Sequence, residues 1–159
     1  MPNSPTIWSF VVGAVIFFAA SLLLLYKGRG GHEASLRRGV DLTTWGVMLM
    51  TGIYFGFALT QHFHTYAAAE MIFNGALIAI LIIIRWLEIS QRLAFAILLI
   101  GVHGVWDALH LFDMPLANDL VPRWYAQACA ILDGAYFILS LPIFITIIRF
   151  GRVDRGKLN

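Results

Sequence analysis

The chain has 159 residues, of which 60% are apolar and only 13% charged, and its mean hydropathy is +0.79. That composition excludes a soluble globular domain of this size and defines an integral membrane protein with a single domain over residues 1–159. The net charge of +2 is no argument for nucleic acid, because the basic residues flank apolar stretches instead of forming a patch. The single Cys129 excludes an intrachain disulfide and a cysteine-based metal finger.

A helix needs about 20 mostly apolar residues to cross about 30 Å of hydrocarbon at 1.5 Å per residue. Five stretches meet this in chain order: Ile7–Tyr26, Leu42–Gln61, Tyr66–Ile84, Leu93–Phe112 and Arg123–Ile148. The first has no charge and no basic region before it, so it reads as a retained span and not a cleaved signal peptide. Span two carries Gly52-x-x-x-Gly56, and span three carries Gly75 and Ala79. Small faces of this kind permit close helix packing within the chain or in a homo-oligomer. Asp113–Val121 is an outer loop ending in a cap, with Pro122 at the first turn of span five. The expected fold is therefore all-α, a bundle of five transmembrane helices with short loops and antiparallel neighbours.

Orientation follows from Lys and Arg. Lys27, Arg29, Arg37 and Arg38 lie between spans one and two, Arg85 and Arg92 between three and four, and Arg149, Arg152, Arg155 and Lys157 after span five. Only Arg123 falls on the other side. The bias places the N-terminus outside and the C-terminus in the cytoplasm, as in a bacterial inner membrane. Trp8 and Trp124 then mark the outer interface, and Trp45 and Trp86 the inner one.

Against this apolar background, His103-Gly-Val-Trp-Asp107-Ala-Leu-His110 places three ionisable side chains inside span four. Such groups are costly in a bilayer and ordinarily face the protein interior with a task to perform. Positions 103, 107 and 110 share one helical face, with Asp107 about 8 Å and His103 about 14 Å below the outer interface. Span five enters from the same side with Cys129, Asp133, Tyr136 and Ser140 on one stripe, and Asp133 is expected about 15 Å down, level with His103. Glu70 and Asn74 stand one turn apart on span three, and His62 and His64 lie in the outer hairpin before it. Span one offers only Ser21 as a polar core residue, so it is expected at the periphery. Glu70, His103, Asp107, His110 and Asp133 are thus expected to converge in the outer half of the membrane.

Imidazoles and carboxylates at these spacings are ligands for a divalent transition metal such as zinc or iron. The candidate metal ligands are His103, Asp107, His110, Glu70, His62 and His64, and the candidate catalytic carboxylates are Asp107, Asp133 and Glu70. His103 and His110 are about 10.5 Å apart along the axis, too far to share one ion comfortably. Asp107-x-x-His110 is similar to one Glu-x-x-His element of di-iron bundles, but the second element is missing. A bis-histidine haem fits poorly, because only span four has histidines at depth. Ser21, Ser90 and Ser140 are misplaced for a Ser-His-Asp nucleophile, and Cys129 reads as packing.

The strings HGVWDALH (103–110) and VPRWYAQACAILD (121–133) resemble a pattern in small, uncharacterised bacterial integral membrane proteins. In that pattern His-x-x-Trp-Asp-x-x-His is followed by Pro-x-Trp-Tyr, a Cys and an Asp. The resemblance covers the last third of the chain and implies that His103, Trp106, Asp107, His110, Trp124, Tyr125, Cys129 and Asp133 act as one unit, without implying a reaction. The residues themselves point to metal-assisted chemistry on a lipid or lipophilic small molecule at an outward-facing site. Two other readings remain open: a non-enzymatic subunit or assembly factor of a membrane complex, and a small oligomeric proton-coupled transporter.

Overall fold

The computed structural model describes residues 4–28, 33–60, 66–112 and 120–150. They form five long helices: α1 (Ser4–Gly28), α2 (Glu33–Thr60), α3 (Ala67–Ile83), α4 (Ile89–Leu109) and α5 (Arg123–Phe150), with a 3₁₀ turn at Ile84–Trp86 between α3 and α4. There is no strand among the described residues. α2 to α5 each contain a stretch long and apolar enough to cross a membrane, and α1 contributes the apolar stretch Phe18–Lys27. His62, His64 and the 113–119 loop lie outside the described residues, as do Arg29 and the basic residues after Phe150.

The helices outrun the hydropathy pattern where polar residues can stay helical at the membrane edge. α2 begins at Glu33 instead of 42, carrying Arg37, Arg38 and Asp41 in its first turns. Arg92 at the start of α4 meets Asp41 at 3.0 Å, an exposed pair of the kind that contributes little to stability. α4 starts on a reciprocal cap: the Glu88 backbone N–H donates to the Gln91 side chain, and the Glu88 side chain accepts from the first turn. Polar residues within the apolar helices close on their own backbone. Thr44 donates to the Val40 carbonyl at 2.9 Å and Thr51 to the Val47 carbonyl at 2.8 Å, so their hydroxyls need no water.

α2 is central and packs against α1, α3 and α4, while α5 lies along α4 and touches α1. Side-chain pairings fix the directions. Ser21 meets Thr43 and Gly39 meets Leu25, so α1 and α2 are antiparallel. His103 meets Asp133 and Gly101 meets Phe137, so α4 and α5 are antiparallel. α1 is peripheral, as its sequence suggests, with Val12, Ile16 and Leu23 exposed. Its inner face is nonetheless committed: Phe18, Ser21 and Leu25 are buried, and Ser21 joins Thr43 and Tyr136 in a triangle of hydroxyls, 2.8, 2.8 and 2.5 Å on its sides. Tyr26 donates to the Leu139 carbonyl at 2.6 Å, close to the break that Pro142 makes in the α5 backbone ladder.

Close helix approach occurs away from the small residues of spans two and three. A Cβ added at Gly52 or Gly56 would meet nothing within 4 Å, and one at Gly75 would make an ordinary 3.6 Å contact with Phe55. Tight approaches lie between α1 and α2, where a Cβ at Gly39 would stand 3.1 Å from the Leu25 backbone nitrogen, and between α4 and α5, where a Cβ at Gly104 would stand 3.0 Å from the Asp133 Cβ and one at Gly101 would stand 2.7 Å from the Phe137 ring. The Phe137 ring can turn aside; the Asp133 Cβ is fixed to the backbone and cannot. Gly104→Ala is therefore expected to force α5 outward and destabilise the detergent-solubilised protein by about 1–3 kcal/mol. Gly52→Ala is expected to be neutral or to gain up to about 1 kcal/mol from helix propensity. Thermal unfolding of the two variants side by side checks the contrast.

Candidate metal centre

α4 supplies His103 and Asp107 one turn apart, α5 supplies Asp133, α2 supplies Tyr54 and α3 supplies Glu70 and Asn74. The five expected residues are all buried: Asp107 is 0% exposed, Glu70, His103 and Asp133 are 1%, and His110 is 7%. They do not form one site. They divide into two adjacent clusters whose polar atoms are in very different states.

The first cluster, at the C-terminal end of α4, centres on Glu70 and His110. Glu70 Oε1 lies 2.6 Å from His110 Nε2, while Oε2 accepts from the Trp106 indole at 3.0 Å and the Asn74 amide at 3.1 Å. His110 Nδ1 lies 2.9 Å from the Trp106 carbonyl. A carbonyl only accepts, so Nδ1 carries a proton, and the short contact on the other side of the ring is bridged by a second proton shared with Glu70. The Trp106 ring is stacked on Phe73, centroids 4.0 Å apart and 11° from parallel. Both Glu70 oxygens and both His110 nitrogens are therefore engaged by protein, tying α3 to the end of α4.

The second cluster, centred on His103, is incompletely bonded. His103 Nδ1 is 2.8 Å from Asp133 Oδ2 and 3.1 Å from Asp107 Oδ2. One N–H cannot serve two acceptors well, and the hydrogen bond goes to Asp133. Asp133 Oδ1 and His103 Nε2 have no hydrogen-bond partner, while the Asp107 carboxylate takes the Tyr54 hydroxyl and stands 3.1 Å from His103 Nδ1. An unsatisfied buried polar atom costs about 1–3 kcal/mol, and more where it carries charge. Charge is unbalanced too: two carboxylates face a single imidazole, and every Lys and Arg among the described residues lies near a helix end. A surplus of negative charge in a low-dielectric interior is relieved by a bound cation or by a proton on one carboxyl.

The geometry suits a metal ion. His103, Asp107 and Asp133 each offer one ligand atom, all within 4.8 Å of one another, and form the only such group among the described residues. Donors about 2.1 Å from a metal are separated by about 3.0 Å in an octahedral and about 3.4 Å in a tetrahedral shell. The 4.8 Å limit accommodates either shell, and three protein donors leave coordination positions for water or substrate. Glu70 and His110, engaged with each other, are not part of this group.

Two participants carry weak sequence signals. Tyr54 is completely buried, with its ring edge-on to His103 at 5.2 Å and to His110 at 5.7 Å, between the two clusters. Its face of α2 also carries Thr43, Val47, Thr51 and Ala58, all buried, and that helical spacing was the available clue. Cys129, fully buried, has its side chain against the Tyr125 hydroxyl. No protein-family model, curated protein or solved structure matches this chain.

The two clusters should respond oppositely to removal of charge. Glu70→Ala strips acceptors from His110, Trp106 and Asn74 and is expected to cost about 1–3 kcal/mol. Asp133→Asn and Asp107→Asn relieve the surplus charge and are expected to leave the metal-free protein as stable as the wild type or more so. Thermal unfolding in detergent with a chelator present distinguishes the two responses.

Proposed function

We propose that this chain is a five-span integral membrane protein, N-terminus outside and C-terminus cytoplasmic, whose His103, Asp107 and Asp133 hold a transition metal ion, zinc or iron. The ion serves chemistry on a lipid or lipophilic small molecule in the outer half of a bacterial inner membrane. The observation that carries this reading is the contrast within one buried region. Every side-chain oxygen and nitrogen of Glu70 and His110 is engaged by protein, whereas His103 Nε2 and Asp133 Oδ1 in the neighbouring His103–Asp107–Asp133 cluster have no partner. A strut between helices would be built like the first cluster, and interhelical polar bonds in membranes average well under 1 kcal/mol each.

When bound, such an ion polarises a substrate oxygen and makes an attached water nucleophilic near neutral pH. With Asp133 orienting the His103 ring through Nδ1, Nε2 would hold the ion, and a carboxylate oxygen of Asp107 or Asp133 not bound to it would accept a proton from a bound water. The Glu70–His110 bond and the Trp106–Phe73 stack fix the wall of the site toward the outer end of α4. Lateral approach of an amphiphile suits a site in spans whose outer faces are apolar, with Val102, Val105 and Ile131 exposed.

Elemental analysis of protein purified in detergent is expected to find about one metal ion per chain, lost in Asp107→Ala and Asp133→Ala and retained in Glu70→Gln. Metal-free wild type that carries a stoichiometric protein partner would instead favour a non-enzymatic subunit or assembly factor, and liposome proton flux that depends on Asp133 would favour a transporter. Orientation has its own check. A C-terminal fluorescent-protein fusion should fluoresce and a C-terminal alkaline phosphatase fusion should be inactive, since ten of the 11 basic residues would face the cytoplasm.

A further inference from the structure

We propose that Tyr54 is a positioning residue for the ion held by His103, Asp107 and Asp133: its phenol stays outside the ion's ligand set, hydrogen-bonds the Asp107 carboxylate and holds it ready to bind metal. This rests on the metal-site reading above and adds to it a residue on which the affinity of that site depends.

The two carboxylates of the cluster need separate holders. His103 has a single Nδ1, 2.8 Å from Asp133 Oδ2 and 3.1 Å from Asp107 Oδ2, and its hydrogen bond goes to Asp133. Asp107, at 0% exposure, therefore needs a donor of its own. The Tyr54 hydroxyl is that donor. One O–H satisfies only part of what a carboxylate can accept, so Asp107 keeps lone pairs for an ion. Asp133 is divided in the same way, with Oδ2 on His103 and Oδ1 without a partner.

Tyr54 is packed so as to keep this bond still. The residue is completely buried, and its ring is held from three sides, by His103 at 5.2 Å, His110 at 5.7 Å and Tyr125 at 5.4 Å between centroids. Two of those rings are themselves anchored, His103 on Asp133 and His110 on Glu70 at 2.6 Å. With two side-chain torsions so confined, the phenol oxygen has little freedom to swing away. Asp107 is thereby tied to α2, a helix that provides none of the three ligands. The chemistry of the donor matters as well. A phenol is neutral, so it orients the carboxylate without cancelling the negative charge that attracts the ion, as a lysine or arginine would. Hydrogen-bond partners of metal-binding carboxylates account for about 10–100-fold in affinity.

The test uses purified full-length protein in detergent, carrying ring-deuterated or ordinary tyrosine, stripped with a chelator and titrated with cobalt(II) or zinc. The wild type is expected to take about one ion per chain. Loading should also shift a phenol C–O vibration in the infrared difference spectrum, assigned to tyrosine by the label, because the ion withdraws charge from the carboxylate to which Tyr54 donates. Tyr54→Phe should still take the ion, about tenfold or more weakly, and should lose the shift. Tyr125→Phe, whose lost hydroxyl lies at Cys129, should keep both the affinity and the shift. The label reads the wild type with no substitution and so covers a Tyr54→Phe variant that fails to fold: metal uptake without a tyrosine shift overturns the inference and leaves the metal site standing. Unchanged affinity in Tyr54→Phe, or a shift that survives it, has the same consequence. A wild type that takes up neither ion overturns both readings.

Discussion

The contact between His103 and Asp133 across the α4–α5 seam is the interaction on which the interior of this bundle depends. Gly104, next to His103 in sequence, helps it form by leaving room for the Asp133 Cβ, which would stand 3.0 Å from a Cβ at position 104. Once the two helices close there, Asp107 is carried in by helical periodicity, one turn from His103. Three titratable groups then share a space with almost no access to solvent. The energetic consequence is severe, since ions lose most of their hydration in such surroundings and only a partner of opposite charge can compensate.

The chain handles this problem in two ways within a few ångströms. Around Glu70 every polar atom of the carboxylate is matched by an imidazole, an indole or an amide, so that region behaves as a fastener between α3 and α4. Around His103 the matching is left incomplete. Tyr54 stands at the boundary and touches both histidine rings, so the rigid cluster also fixes one wall of the open one. A fully bonded frame beside an under-bonded centre is how a protein holds ligand groups in place before anything binds to them.

Much of this could be read from the amino acids. The rise per residue put His103 and Asp133 at one depth, and their 2.8 Å contact agrees with that reading. The spacing of 103, 107 and 110 gave a common face, and all three are buried. Less legible was the division into two clusters. Depth along a helix follows from counting, but the rotation of α3 that aims Glu70 at His110 depends on how α3 packs on its neighbours. The small-residue pattern does not mark a contact within the chain: Gly52 and Gly56 face open space there, whereas Gly101 and Gly104 lie at the α4–α5 seam. Tyr54 was silent because tyrosine is common in membrane helices, and only its position on the buried face of α2 sets it apart. Span boundaries drifted where helix and hydrocarbon part company, as at Glu33, since hydropathy marks the lipid-crossing length and not the helix.

The hydroxyl triangle of Ser21, Thr43 and Tyr136 bears on how the molecule is assembled. Its corners come from the first, second and last helices, and ribosomes deliver those helices far apart in time. Until the final helix arrives, the first has only half of its polar docking point, and its register against the second is held by one hydroxyl pair and apolar contact. The first helix nonetheless has most of its packing surface on the second, so the last helix completes a joint already begun and adds its third corner.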